Sequence, residues 1–196
     1  MKNVGLYFGS FNPIHIGHLI VAEHFTSHEN LDEVWLVVSP LNPLKQATDL
    51  APENHRLAMV ELATANNHRL QSCDIEMNMP RPSYTCDTLK SLGETFPTFS
   101  FTLIMGEDNL ASFDKWKNYQ WILENFPIRI YSRHDSLSEH PIIDWKKYDF
   151  QLVEAPRVEC SSTRIREQLK AAKSIRYLVH DDVINYIRHH RLYDSE

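Results

Sequence analysis

Short apolar runs alternate with helix-patterned stretches along almost the whole chain, and few folds accept that order. The runs Val4–Phe8, Glu33–Val38, Leu70–Ile75, Phe99–Met105, Ile128–Tyr131 and Phe150–Val153 are short enough for buried strands. Between them a helix is predicted from near Pro52, a residue tolerated in a first turn, with Leu57, Val60, Glu61 and Ala63 in its pattern and Met59 nearby. A second spans Thr85–Phe96, with Leu89 and Leu92 on one face, and a short third covers Tyr119–Asn125. Strands and helices in this order build βαβ units, so an α/β fold is expected, with a mainly parallel sheet and helices on both faces. Two more helical stretches close the chain. Ser162–Ala172 sets Ile165, Leu169 and Ala172 on one face, and Asp181–His190 does the same with Val183, Ile184 and Ile187. They form a small C-terminal helical portion, about 160–196, of one expected domain over 1–196. Ser39–Ala51 and His134–Lys147 read as long loops.

Composition limits the partners. A chain of 196 residues with 42% hydrophobic and 23% charged residues is ordinary for a globular protein with a sizeable core. Its net charge of -6 argues against a broad nucleic-acid surface but leaves room for a local basic pocket. No apolar run approaches the roughly 20 residues needed to span a bilayer. The first apolar run begins almost at once, which leaves no room for a cleaved signal. Cys73, Cys86 and Cys160 are odd in number, form no CxxC pair and read as inert thiols of a reducing cytoplasm. A cytoplasmic protein with neither nucleic acid nor membrane as partner is expected, and a homo-oligomer is left open.

The most informative segment is Gly-Ser-Phe-Asn-Pro-Ile-His-Ile-Gly-His, from Gly9 to His18. It follows the first apolar run and precedes the helical Leu19–Phe25, so it reads as strand, tight turn and helix start. His15 and His18, three residues apart, share a helix face, and Gly17 between them leaves the backbone approachable. Unpaired N–H groups and the positive end of the helix dipole suit a phosphate there. Two such imidazoles could also bind a metal or simply pack. No HExxH pattern or cysteine cluster supplies further ligands, and neither GxGxxG nor a P-loop occurs.

Three further segments carry polar chemistry. Cys160-Ser161-Ser162-Thr163-Arg164-Ile165-Arg166 opens a periodic helix. Ordinary N-capping accounts for one hydroxyl, but Arg166 adds a guanidinium on the face of Thr163, making a second candidate anion site. Two such sites in one short chain favour a polyphosphate ligand. Gly106-Glu107-Asp108-Asn109 follows an apolar run directly, where carboxylates can hold ribose hydroxyls or magnesium, or cap a helix. Ser83–Leu89, with Trp116 and Trp121 later, offers rings that could stack on a flat heterocycle, although Trp at helical spacing is usually core. Trp116, beside Lys115 in a polar setting, is the stronger site residue of the two.

GSFNPIHIGH followed by CSSTRIR resembles the nucleotidyltransferase superfamily that carries (H/T)xGH near its start and ISSTxIR near its end. Within it the chain is similar to the bacterial nicotinate-nucleotide adenylyltransferase family over nearly its whole length. Pro43-Leu44-Lys45, Arg56-Leu57-Ala58-Met59, SYTCDTL from Ser83, GEDNL from Gly106 with Trp116, and SIRYLV from Ser174 carry that likeness. The chain departs from the family pattern GGTFDP: Ser10 replaces a glycine, one residue is missing or merged, and Asn12 replaces the aspartate. The compact Gly-Ser-Phe is closer to phosphopantetheine adenylyltransferases. Leu44 stands where histidine is frequent, and Cys160 where isoleucine is.

The resemblance implies a Rossmann-like, doubly wound fold. It further implies transfer of the AMP part of ATP to nicotinate mononucleotide, giving deamido-NAD and pyrophosphate without a covalent enzyme intermediate. Carried over residue by residue, it makes His15, His18 and Arg166 catalytic. It places ATP against Gly9, Ser10, Phe11, His15, His18, Gly106, Asp108, Ser161, Ser162, Thr163 and Arg166. Tyr84, Thr85 and Trp116 match the nicotinate pocket, and Lys45 and Arg133 are candidates for phosphate or carboxylate contact. Mg2+ is expected to arrive with ATP rather than in a protein cage. Other readings are a sister enzyme using nicotinamide mononucleotide or phosphopantetheine, and a non-catalytic nucleotide sensor. A class I aminoacyl-tRNA synthetase shares a HIGH motif, but no KMSKS-like loop is present.

Overall fold

The computed structural model describes residues 1–40, 50–131 and 145–194. In chain order the regular elements are β1 (Lys2–Gly9), α1 (Ile16–His28), β2 (Glu33–Val38), α2 (Glu53–Thr64), β3 (Leu70–Cys73), α3 (Thr85–Thr95), β4 (Phe99–Gly106), α4 (Tyr119–Asn125), β5 (Ile128–Tyr131), β6 (Phe150–Val153), α5 (Ser162–Lys170) and α6 (Asp181–His190). Short 3-10 segments occupy Ile75–Asn78, Glu107–Lys115 and Trp145–Lys147. The strands form one sheet in the order β3-β2-β1-β4-β5-β6, and each neighbouring pair is parallel. The order reverses between β1 and β4, which makes the sheet doubly wound and puts its ligand crevice beyond the carboxyl ends of those strands. Their register pairs Tyr7 with Ile104, so both strands end side by side at Gly9 and Gly106.

The alternation of strand side chains sorts the core into two halves. Tyr7, Val34, Leu36, Val38 and Ile104 face one side, where Val21, Ala22 and Phe25 of α1 and Met59 and Val60 of α2 pack on them. Ile165 of α5 and Val183, Ile184 and Ile187 of α6 complete that same cluster. Val4, Leu6, Trp35, Val37, Phe101, Leu103 and Met105 face the other side, under Leu89 and Leu92 of α3 and Ile122 and Leu123 of α4. Helices therefore cover both faces, as the sequence led us to expect.

Two elements end more than one residue short of the sequence reading. The Leu70–Ile75 run leaves the sheet at Cys73, because Ile75 begins a 3-10 turn instead. The α5 helix stops at Lys170, and Ala172 is exposed with φ 51°, so it ends the turn rather than extending the apolar face. Trp121 is core-packing, with Phe126 at 5.5 Å and the Lys90 ammonium 4.8 Å above its ring. A cavity of about 730 Å³ opens beside β3, lined by Lys2, Glu33, Trp35, Cys73, Asp74 and Phe96 among others, away from the switch-point crevice. No helix among the described residues is long and apolar enough to cross a membrane.

Candidate active site

The turn leaving β1 is held in an unusual backbone conformation. Its left-handed residue is Phe11, at φ 45°, and no glycine among the described residues has positive φ. Such a conformation costs a bulky residue about 1–2 kcal/mol, so neighbours must hold it. Gly9 supplies the space, since a Cβ there would lie 2.8 Å from the Phe11 ring folded back over it. The ring is 1% exposed, which leaves the Phe11 backbone as the part that can meet a ligand. Arg56, also 1% exposed, grips the surrounding carbonyls. Its Nη1 donates to Ser10 O and Ser39 O (both 2.7 Å), its Nη2 to Pro40 O (2.8 Å) and its Nε to Ala51 O (2.9 Å). Burial pushes the Arg56 pKa down from its ordinary value, with Tyr193 and Glu53 opposing.

The two histidines occupy one space, as their spacing predicts. His15 is the N-cap of α1 and His18 sits one turn in, with ring centroids 3.6 Å apart and planes 23° from parallel. His15 is buried and His18 half-buried. The His15 N–H donates to His18 Nδ1 at 3.3 Å, which leaves Nε2 as the proton-bearing nitrogen of the neutral His18 ring. Phe11 and Tyr7 close edge-on around that ring at 5.0 and 6.1 Å, fixing its plane. A Cβ on Gly17 would lie 3.1 Å from the His15 ring, so the glycine is where it is for space.

The start of α5 is brought against this turn, although the two segments are far apart in sequence. The Ser162 hydroxyl donates to Pro13 O at 2.9 Å, and Arg166 Nη1 donates to Asn12 O at 2.9 Å. Leu178 O accepts from the Ile16 N–H at 2.8 Å, tying in the segment before α6. The three hydroxyls divide their work. Ser161 caps α5 by accepting from the Arg164 N–H at 3.3 Å, Ser162 makes the cross-link, and Thr163 lies 3.5 Å from Arg166 Nη2. Ser161 and Thr163 remain exposed, and the Arg166 Nε is buried without a hydrogen-bond partner.

Beyond β4, Gly106 sits against Asp108 and Tyr131, and a Cβ there would meet the Asp108 carboxylate and lie 3.2 Å from the Tyr131 hydroxyl. That hydroxyl pairs with the Tyr7 hydroxyl at 2.8 Å beneath the crevice. Tyr84 is the N-cap of α3, Trp116 ends the Glu107–Lys115 segment, and the next residue in the chain, Lys117, reaches Tyr84. Its ammonium lies 4.7 Å over the Tyr84 ring and 2.7 Å from the Asp87 carboxylate, holding the Asp87 pKa below its usual value. Tyr84 and Thr85 are half-buried, as is Trp116, which packs 5.1 Å from Phe113. Lys45, Arg133 and the Leu44 departure lie outside the described residues.

Sequence reasoning named Arg56 and Asn12 only as parts of motifs, without these roles, and did not single out Lys117 or Tyr193. Asn12 Oδ1 accepts from the Ala51 N–H at 3.0 Å and the Tyr193 hydroxyl at 2.7 Å, so an amide oxygen serves where a carboxylate oxygen would also serve. Cys160 is half-buried against the core, a seat an isoleucine could fill, and burial raises its pKa. All three thiols are free. Among the described residues no group of three His, Cys, Asp or Glu side chains is placed to hold a metal ion.

Comparisons with known proteins show the family and the fold. The family described as cytidylyltransferase-like matches residues 6–168. A Flavobacterium psychrophilum protein named "Probable nicotinate-nucleotide adenylyltransferase" is 47% identical over 191 residues, covering 97% of this chain and 98% of the relative. A Bacteroides thetaiotaomicron protein of the same name is 45% identical over 185 residues, covering 94% and 90%. Among solved structures, the Plasmodium falciparum nicotinic acid mononucleotide adenylyltransferase complexed with NaAD has the same fold. Its TM-score is 0.77 at 24% identity, over 98% of each chain. Identity this high over both whole lengths leaves one assignment: the chain belongs to the nicotinate-nucleotide adenylyltransferase family.

Proposed function

We propose that the chain joins ATP and nicotinate mononucleotide into deamido-NAD and pyrophosphate, a step of NAD synthesis. A phosphate oxygen of the mononucleotide attacks the α-phosphorus of ATP in line. The new P–O bond forms as the bond to the departing pyrophosphate breaks. The observation that carries this reading is the meeting of the α1 and α5 starts through Ser162–Pro13 and Arg166–Asn12. That meeting gathers backbone N–H groups, two imidazoles, hydroxyls and a guanidinium at one switch-point crevice. Such a set offers donors and positive charge rather than a nucleophile–base pair, which suits a reaction driven by positioning and charge neutralisation.

In this reading His18, its Nδ1 engaged by the His15 amide, directs Nε2–H at the ATP phosphates, and His15 backs it from the stack. Arg166, Ser161, Ser162 and Thr163 hold the β- and γ-phosphates. Gly9, Ser10 and the Phe11 backbone border the triphosphate, and Gly106 and Asp108 meet the adenosine ribose. Tyr84, Thr85 and Trp116 form the nicotinate pocket, and Lys45 and Arg133 are candidates for contact with the mononucleotide's phosphate or carboxylate. Mg2+ enters with ATP as part of that substrate. One chain supplies each of these contacts as a single domain, and a homo-oligomer is compatible with them. The test is turnover of nicotinate and nicotinamide mononucleotides with ATP by the pure protein. A strong preference for the acid is expected, and equal rates would defeat the acceptor assignment while sparing the fold.

A further inference from the structure

We infer that Tyr193, at the far end of the chain, is a positioning residue for the phosphate-binding turn, acting through Asn12; the inference rests on the adenylyltransferase reading above. The segment that follows α6 is tied down at a specific point. The α6 helix ends on Arg191, left-handed at φ 52°, and the Leu192 N–H donates back to Ile187 O at 3.0 Å. Tyr193, at φ 67°, then turns its ring inward instead of trailing into solvent. Two left-handed non-glycine residues within three positions are a backbone cost that packing on α6 alone does not require.

The hydroxyl reaches a residue 181 positions away, donating to Asn12 Oδ1 at 2.7 Å. Asn12 is the joint of the site. Its side-chain oxygen accepts from Tyr193 and from the Ala51 N–H, while its main-chain carbonyl accepts from Arg166. It stands between Phe11, whose φ is 45°, and the Pro13 carbonyl that Ser162 binds. A shift of Asn12 therefore moves the partner of Arg166 and the entry to His15 together. The Tyr193 phenol lies in the field of both Arg166 and Arg56, and burial outweighs their effect and raises its pKa, so it stays a neutral donor. Two of the groups clamped on Asn12, Arg166 and Tyr193, come from the last part of the chain. The C-terminal helices thus set the geometry of a turn that the N-terminal strand begins.

The experiment separates this role from plain packing. Tyr193→Phe keeps the ring and removes only the hydroxyl. In steady-state assays with ATP and nicotinate mononucleotide, kcat should fall about 10- to 100-fold, as a slight misplacement of reacting groups does. Both KM values should stay near wild type. ATP alone, titrated by equilibrium dialysis, counts the competent sites, and kcat is expressed per site. Asn12→Ala, which also removes the acceptor of the Ala51 N–H, should lose at least as much, and the double variant should lose little more than Asn12→Ala alone, since both changes break the Tyr193–Asn12 bond. Unchanged kcat, a loss confined to KM or to the number of ATP-binding sites, or additive losses in the double variant would each overturn the inference. A wild-type protein that makes no deamido-NAD would instead sink the functional reading on which it rests.

Discussion

Arg56 illustrates how a residue's neighbours, rather than its type, decide what it does. A guanidinium almost wholly removed from water usually faces a carboxylate, yet this one spends its donors on Ser10, Ser39, Pro40 and Ala51 carbonyls. The planar fork fits four acceptors at once, and a lysine ammonium cannot reproduce that geometry. Arg56→Lys should destabilise the protein by about 3 kcal/mol or more, because buried carbonyls left unpaired cost about 1–3 kcal/mol each. A urea midpoint measurement checks it. His18 is a different case, exposed enough to meet a ligand and oriented by a backbone bond. Removing its ring by His18→Ala should lower kcat about 100- to 1,000-fold while ATP binding, measured by dialysis, changes little. Turnover that survived the substitution would leave the ring as packing.

At the scale of an element, the start of α5 shows three adjacent hydroxyls with three separate duties. Ser161 is the cap, and its replacement by alanine should cost about 1 kcal/mol of stability, the usual worth of such a cap. Equilibrium denaturation of Ser161→Ala against wild type reads that difference directly. A helix start indifferent to the change would mean that α5 is held by Ser162 and Ile165 alone. The motif as a string of letters does not distribute these roles. The distribution follows from the helix's approach to the Pro13 carbonyl, which only Ser162 can reach.

Across the whole molecule, the free thiols and the buried phenol share one electrostatic direction. Burial pushes the Cys73 thiol up to about 11 from an ordinary value of 9.0, and it raises Cys86, Cys160 and Tyr193 as well. A group whose folded pKa is raised holds its proton longer in the folded state than in the unfolded one. Its contribution is complete below the unfolded pKa and is lost as pH climbs through the folded value. For Cys73 that window runs from 9.0 to about 11, and the loss is on the order of 3 kcal/mol. Stability should thus be level near neutrality and fall above pH 9, less steeply in Cys73→Ala. Urea midpoints of both proteins from pH 8 to 11 test the sign.

Much of the architecture was legible before any coordinates. The bounds of β2, β5, β6, α4 and α6 match the sequence reading, because apolar period and strand length are local properties of the chain. The pairing of HxGH with SSTxIR was legible for a similar reason: each motif is a helix start whose chemistry lies within a few residues. The tertiary structure alone decided how Asn12, Arg56 and Tyr193 act. Their partners lie between 5 and 181 residues away, and an asparagine, an arginine or a terminal tyrosine carries no local pattern that names a distant carbonyl. A sequence specifies which segments want to be strands or helices. Which donor meets which acceptor is settled only when the packed sheet brings the two ends of the chain to one crevice.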